Sequence, residues 1–325
     1  MFKAPMIKGR VSIVIPHWNA KPLLHTCLTA LRNQTYSDIE IIVADNASTD
    51  GSQAYIREHF PEVIIEQLPT NRGFTGACNA GIRVSSGEYI ALLNNDTEVE
   101  PTWVAELVSA FERHPEAGFL ASKMLLFDQR DHFHTAGDYY RVDGRPGNRG
   151  VWQKDIGQYN QEEYVFSACG GSSIYRRTML EQIGLLDDDF FFSCEDLDLA
   201  WRAQFAGYKC LYVPTAIVYH QLSASGGGVT ASFYDGRNSL FLLMKDYPTA
   251  LWRKYWRYIL KAQWQETSAA IKAWRGKAAR ATLRGKLSAI RYMPKMLAKR
   301  RQVQRNWQVT LDYIESILTP IEADL

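Results

Sequence analysis

Asn94-Asn95-Asp96 follows directly on the apolar run Tyr89-Ile90-Ala91-Leu92-Leu93, so one carboxylate and two amides stand where a buried strand emerges. Ligands of open α/β sheets bind at that edge. Oxygen ligands with a single negative charge suit a divalent ion, Mg²⁺ or Mn²⁺, shared with a substrate diphosphate. The same residue types also end strands in plain turns, and that reading stands beside the first. A second group, Glu195-Asp196-Leu197-Asp198, places three carboxylates in the first turn of a helix, with Leu197, Ala200 and Trp201 on its apolar face. The helix dipole alone accounts for acids there, while a carboxylate carried into a cleft is also the group that takes a proton from an attacking hydroxyl. The stretch before it, Asp187 to Cys194, contains Phe190-Phe191-Phe192 and is too apolar for a solvent loop, which implies that it packs inward and delivers Glu195 and Asp196 to a cleft.

Other residues with chemical capacity sit at strand ends. Asp45 closes Ile39-Glu40-Ile41-Ile42-Val43-Ala44 and is either a cap or an acceptor for the imide N–H of a pyrimidine base. Arg72 offers a guanidinium fork that matches phosphate oxygens, or is a solvated charge. Gly73 and Gly76 permit close backbone approach, to a ligand or to a packed neighbour. His220 ends Ala216-Ile217-Val218-Tyr219 and is either a structural imidazole or a metal ligand favouring Mn²⁺ over Mg²⁺. The elements holding these groups alternate. Val11-Ser12-Ile13-Val14-Ile15 reads as a strand stopped by Pro16, a helix runs from Pro22 to about Asn33, and strands at Ile39 to Ala44 and Val63 to Ile65 follow before the Tyr89 strand. Strand and helix in alternation predict an α/β chain with a mostly parallel sheet.

With these pieces in this order, the chain resembles the inverting family 2 glycosyltransferases of GT-A fold, and within them rhamnosyltransferase-type members. The resemblance spans roughly Val11 to Asn238. It rests on the Val11–Asn19 strand and turn, Asp45-Asn46-Ala47-Ser48-Thr49-Asp50-Gly51, Asn71-Arg72-Gly73-Phe74, Leu93-Asn94-Asn95-Asp96, Cys169-Gly170-Gly171, Glu195-Asp196-Leu197-Asp198 with Arg202, and Tyr219-His220. It implies a nucleotide-sugar site at Pro16, Trp18, Asn19, Asp45, Arg72, Gly73, Asn79, Asn94, Asn95 and Asp96. It further implies an acceptor side at Gly170, Gly171 and Arg202, Mn²⁺ or Mg²⁺ on Asp96 and His220, and Asp196 as general base with Glu195 as fallback. Where the family's common metal motif has two aspartates, this chain has only Asp96. The implied reaction carries a sugar from a uridine or thymidine diphosphate, with thymidine-diphospho-rhamnose first, to a hydroxyl of a bacterial surface glycan or lipid-linked acceptor. A sugar-nucleotide nucleotidyltransferase would instead open with a glycine- and arginine-rich phosphate loop, unlike Pro16-His17-Trp18-Asn19. A non-catalytic nucleotide or polyanion binder would have no use for Asp196.

Composition sets the frame. The 325 residues, 46% hydrophobic, suffice for a large core plus an extension. The five cysteines include no Cys-x-x-Cys pair, which points to a reducing, cytoplasmic compartment. Neither a secretory signal nor a run of ~18 apolar residues is present. We expect a catalytic domain over residues 9–229 and a helical basic extension over 230–325. Between Leu251 and Trp307 Glu266 is the sole acid, and Trp252, Tyr255, Trp256, Ile259 and Leu260 recur at helical spacing among Arg253, Lys254, Arg257 and Lys261. That pattern fits a helix lying on the anionic inner face of the cell membrane, or one packed on the catalytic domain. It shows no nucleic-acid motif. His132 to Asp138 and Asp143 to Gly150 are expected on the acceptor side, and Ser223 to Gly228 is expected to be a lid or a hinge.

Overall fold

In the computed structural model, residues 2–222, 228–305 and 307–321 are described. The first half alternates strand and helix: β1 (Ile7–His17), α1 (Lys21–Arg32), β2 (Ile39–Asp45), α2 (Ser52–His59), β3 (Ile64–Gln67), α3 (Gly73–Val84) and β4 (Gly87–Leu93). After the Asn94-Asn95-Asp96 edge come β5 (Thr97–Val99), α4 (Trp103–Arg113), β6 (Ala117–Leu126), β7 (Phe133–Thr135), β8 (Asp138–Tyr140), β9 (Pro146–Asn148), β10 (Glu163–Val165) and β11 (Ser172–Arg176). Then follow α5 (Arg177–Ile183), α6 (Glu195–Phe205) and β12 (Lys209–His220), and the helices α7 (Gly228–Lys245), α8 (Thr249–Lys272), α9 (Lys277–Arg305) and α10 (Leu311–Ser316).

The main sheet runs β10-β12-β6-β11-β4-β1-β2-β3. Its β1, β2, β3 and β4 pair in parallel, as do β6 and β12. Inside the sheet β11 departs from the parallel pattern, lying antiparallel between β4 and β6, and β10, β5 and β7 pair antiparallel at the sheet's margin. The continuous apolar run Tyr89 to Leu93 of β4, and the burial of every residue of β6, follow from their position, since a central strand is covered on both faces. Helices α1, α2 and α4 cover one face of the sheet, where Trp103 is fully buried beside Leu28 and Ile56. The other face shares a core with α3, α6 and the C-terminal helices, through Trp201, Phe241, Ile259 and Met296.

The helical extension is therefore built onto the catalytic layers. Helices α7 and α9 cross where two glycines meet backbone: a Cβ on Gly285 would strike Phe233 O, and one on Gly236 would strike Thr282 O. On α8, Leu251 and Ile259 are buried, and Trp252 and Tyr255 pack against the core. Trp252 donates its indole N–H to Leu243 O at 3.2 Å, and Tyr255 donates to Glu315. Of the two readings of this helix, packing holds for these two aromatics, whose polar ends are used inside the fold. Trp256 and Leu260 do remain exposed.

Candidate active site

The strand ends that carry Pro16, Asn46 and Asn94 open into one cleft of about 1290 Å³, larger than the ~300–1,000 Å³ typical of small-ligand pockets. There is room for two substrates. The cleft lining includes Pro16, His17, Trp18, Asn46, Gly73, Phe74, Asn94 and Asn95 from the strand ends, together with Gly170, Gly171, Glu195 and Asp196. His134, Asp138 and the β8–β9 hairpin close one side, and Phe191 to Cys194 with α7 close another.

Asp196 is delivered into this cleft by two neighbouring features. Gly170 N–H donates to its Oδ2 at 2.8 Å, and Leu197 N–H to its Oδ1 at 2.8 Å. At Gly170 a Cβ would sit 3.3 Å from Glu195 Oε1, and at Gly171 one would sit 3.2 Å from Asn94 Nδ2. The glycine pair thus lets the acidic helix start and the Asn94 edge approach one another, and Asn94 N–H donates to Gly171 O at 3.0 Å. Burial raises Glu195 well above the ordinary carboxylate range, and the neighbouring Asp196 adds to the shift. Burial also raises Asp196, against the opposing backbone N–H groups. Because those donors favour the charged form, Asp196 is the member of the pair better suited to hold negative charge while Glu195 keeps its proton.

The loop before α6 is strained. Phe191, Ser193 and Cys194 have φ of 63°, 68° and 64°, where non-glycine residues seldom sit. Fully buried Asn238 on α7 holds it, donating Nδ2 to Phe190 O at 3.0 Å, Phe192 O at 2.8 Å and Ser193 O at 2.7 Å. Arg237 donates to Asp189 O and Phe190 O, both at 2.7 Å. Gly73, at φ +73°, completes the arrangement, since a Cβ there would lie 2.4 Å from Phe191 O. We expect Asn238→Leu to remove at least ~2 kcal/mol of stability, because buried carbonyls lose their donor. Turnover should fall more than donor affinity. A denaturation midpoint equal to that of the parent would show that the loop holds its shape without Asn238.

The proposed metal residues Asp96 and His220 are not part of the cleft lining, whereas Asn94, Asn95 and His134 next to them are. His220 Nε2 is 3.1 Å from Asp96 Oδ1 and 3.5 Å from Asn94 Nδ2, while His220 Nδ1 is 3.1 Å from His134 Nδ1. His220 can offer an ion only one nitrogen. With Nε2 turned to Asp96, His134 fixes the ring from the other side, as an outer partner of a ligating imidazole does. Burial, then the adjacent His220, pushes His134 down to about 3, so it is a neutral ring at ordinary pH. A carboxylate, an amide and an imidazole form a donor set that fits a divalent ion and leans toward Mn²⁺. A separate cluster, Asp138, Cys169 and Asp196, has its ligand atoms within 4.8 Å of one another. Burial raises the Cys169 thiol, so it is not a ready thiolate ligand.

Other expected site residues have different duties. Asp45 accepts from Gln53 Nε2 at 2.6 Å on Oδ2, and its Oδ1 is buried with no hydrogen-bond partner. Trp18 is 54% exposed at the cleft edge. Asn19 Oδ1 accepts from Thr49 N–H at 2.7 Å and clamps the loop after β2. The structure turns Arg72 to Asp188 at 2.9 Å, away from the cleft lining. Asn79 is buried against Leu186 O at 2.8 Å and Asp188 Oδ1 at 2.7 Å, so it pins that segment. Arg202 is placed away from the acceptor side. It pairs with Asp198 at 2.8 Å and donates to Ile183 O and Leu185 O, each at 2.9 Å. Its five donors serve the α5–α6 connection.

Two residues at the site were not singled out as functional in the sequence. His17 joins Asn95 Nδ2 and Ser52 Oγ, each at 2.8 Å, and burial lowers its pKa, which suits a neutral ring that orients Asn95. Asp138 accepts from Thr135 at 2.7 Å and Asn148 at 2.8 Å. Burial, then Asp196, lifts it to about 7. His17 sat inside a quoted turn, and Asp138 inside a stretch read only as acceptor side; neither has a local pattern marking it. Ser223 to Gly227 lie outside the described residues, so the expected lid is described only at Gly228, which lines the cleft.

The fold and site define a GT-A glycosyltransferase. The glycosyl transferase family 2 model matches residues 12–184, just over half of the chain, and the protein belongs to that family. Over 273 residues it is 26% identical to N-acetylglucosaminyl-diphospho-decaprenol L-rhamnosyltransferase of Mycobacterium tuberculosis, covering 77% of this chain and 88% of the relative. An O-antigen biosynthesis protein of Myxococcus xanthus is 29% identical over 66% of this chain and 18% of its own length. Among solved structures, a Pyrobaculum calidifontis mannosyltransferase in complex with GDP-Man and Mn²⁺ superposes with a TM-score of 0.55 at 16% identity, over 97% of this chain and 85% of its own. The S. aureus TarS 1-349 structure in complex with UDP gives 0.56 at 15% identity, over 90% and 91%.

Proposed function

We propose that this enzyme transfers a sugar, with inversion, from a thymidine or uridine diphosphate to a hydroxyl of a lipid-linked bacterial surface glycan, with dTDP-L-rhamnose as the first donor to test. The observation that carries this reading is that Asp196, held by the Gly170 and Leu197 N–H groups, lines the same cleft as Asn94 and Asn95, which Asp96 follows in the chain. The acceptor oxygen attacks the anomeric carbon, its proton passes to Asp196, and the bond to the diphosphate breaks on the opposite side. A divalent ion held by Asp96 and His220 would offset charge on the departing diphosphate. Asp45, the residue expected to meet the base, is fully buried beside the cleft-lining Asn46, with its Oδ1 unpartnered. The rhamnosyltransferase relative supports the choice of donor and of a lipid-linked acceptor.

We assign the enzyme to the inner face of the cell membrane, consistent with its five free cysteines and with its basic C-terminal helices. No helix among the described residues is long and apolar enough to cross a membrane. A thermal-shift panel of nucleotide sugars with Mn²⁺ or Mg²⁺ tests the donor. At a hundredfold excess over Kd the true donor should stabilise the fold by ~2.7 kcal/mol. A panel in which thymidine and uridine diphosphate sugars leave the midpoint unmoved would count against the reading.

A further inference from the structure

Helices α8 and α9 form an antiparallel hairpin. Lys286 meets Gln263 at 2.7 Å and Glu266 at 3.1 Å, and Arg300 meets Thr249 at 2.7 Å. With the inner faces of both helices buried, the outer faces carry large apolar side chains. On α8 these are Trp256, Leu260, Trp264 and Ile271, which recur at helical spacing and are exposed, Trp264 by 68%. On α9, Ile290, Met293 and Leu297 continue the stripe that begins at Lys286, so they border the seam with α8, and Leu287 beside them is 67% exposed. Trp274 is exposed in the connection between the helices.

The charges around this apolar face have one sign. From Leu251 to Arg305 there are 16 Lys and Arg against Glu266 alone, and Glu266 is turned inward to Lys286. On α8, Arg253 and Arg257 flank the stripe. On α9, Arg280, Arg284 and Arg291 are spaced along its outer side. Exposed tryptophans and aliphatics set among arginines describe an interfacial helix pair, with apolar groups at the acyl boundary and cations at anionic head groups.

We infer that the outer face of the α8–α9 hairpin docks on an anionic lipid bilayer. The cleft gives the docking a purpose, a point that rests on the lipid-linked acceptor proposed above. Glu266 and Thr282, near the connected end of the hairpin, border the cleft. The exposed Trp264, Ile271 and Trp274 lie at that same end. A hairpin seated on the bilayer therefore holds the cleft mouth about one helix diameter, ~10–12 Å, from the lipid surface, where an acceptor carried on a lipid would arrive.

The test uses the full chain and co-sedimentation with vesicles of phosphatidylglycerol and phosphatidylcholine. Binding to these should be strong at low salt. It should fall at least tenfold in 1 M salt, where the Debye length is ~3 Å, and at least tenfold in a Trp264→Glu, Ile290→Glu double variant. Both substitutions lie on exposed positions, so the variant should keep the parent's thermal midpoint. Calorimetry with dTDP or UDP and Mn²⁺ is run beside it. Nucleotide binding without vesicle binding at low salt overturns the docking face alone, and vesicle binding without nucleotide binding overturns the donor reading alone. Sedimentation that salt abolishes but the double variant leaves intact would mark a plain polyanion surface, such as nucleic acid uses, and would also overturn the assignment. So would a dimer in solution that the same substitutions dissociate, since the face would then belong to a second copy.

Discussion

Asp196→Asn should abolish turnover while donor affinity stays within about twofold of the parent. The amide keeps the shape of the carboxylate but cannot take the acceptor proton, and a general base contributes about 10²–10⁴ in rate. An amide in this place would also turn its own N–H groups toward one of the two backbone donors, from Gly170 and Leu197, that now meet carboxylate oxygens. For that reason Asp196→Ala serves as a second variant, with the same expectation. Steady-state rates at saturating donor and acceptor, with calorimetric donor affinity, provide the check. Turnover of either variant within tenfold of the parent would remove Asp196 from the role. The pH profile carries a related expectation. Because burial raises Asp196, the acid limb of kcat/KM should lie above the ordinary aspartate range, with activity lost as pH falls through that limb and the base takes up a proton. Glu195→Gln should leave that limb in place, since burial raises Asp196 and a protonated Glu195 adds no charge beside it, and should cost less than Asp196→Asn.

Removing Asp96 should have the second large effect. Asp96→Ala deletes the single carboxylate of the strand-edge group, and metal and donor binding should weaken together, by at least tenfold when titrated with Mn²⁺. His220→Ala should act in the same direction and more mildly, because Asp96 and Asn94 remain. The geometry adds His134 to this set as a positioning residue. It faces His220 Nδ1 at 3.1 Å, so His134→Ala should loosen the ring and lower Mn²⁺ affinity without removing a ligand. Calorimetric titrations in which Mn²⁺-dependent nucleotide affinity is the same in parent, Asp96→Ala and His220→Ala would defeat the metal assignment.

What the sequence made legible was local. The run Tyr89 to Leu93 reads as a buried strand because it is buried on both faces, and Asn94, Asn95 and Asp96 read as its end because they follow it directly. Glu195 and Asp196 were legible through the apolar helix behind them and the phenylalanines before them. The partners of other site residues lie far along the chain and were not legible. Arg72 turns to Asp188, 116 residues on, and Asn79 binds Leu186, 107 residues on. Arg202 reaches back to Ile183 and Leu185, so its place beside an acidic helix start says nothing about the cleft. The antiparallel insertion of β11 was illegible for the same reason, since its partners β4 and β6 are fixed by pairing and not by its own composition. The basic extension shows both sides. Helical spacing found the α8 stripe, but only packing decides that Trp252 and Tyr255 turn inward while Trp256 and Leu260 stay out.

The central claim is inverting sugar transfer at the Asp196 cleft, and the configuration of the product tests it most directly. The enzyme is incubated with dTDP-L-rhamnose, Mn²⁺ and a lipid-linked N-acetylglucosaminyl diphosphate, and the anomeric centre of the new linkage is read by NMR through its one-bond C–H coupling. The expected product carries a new glycosidic bond whose anomeric configuration is opposite to that in the donor, formed by the parent and absent with Asp196→Asn. A product that retains the donor's configuration, or one that Asp196→Asn forms as fast as the parent, would contradict the claim.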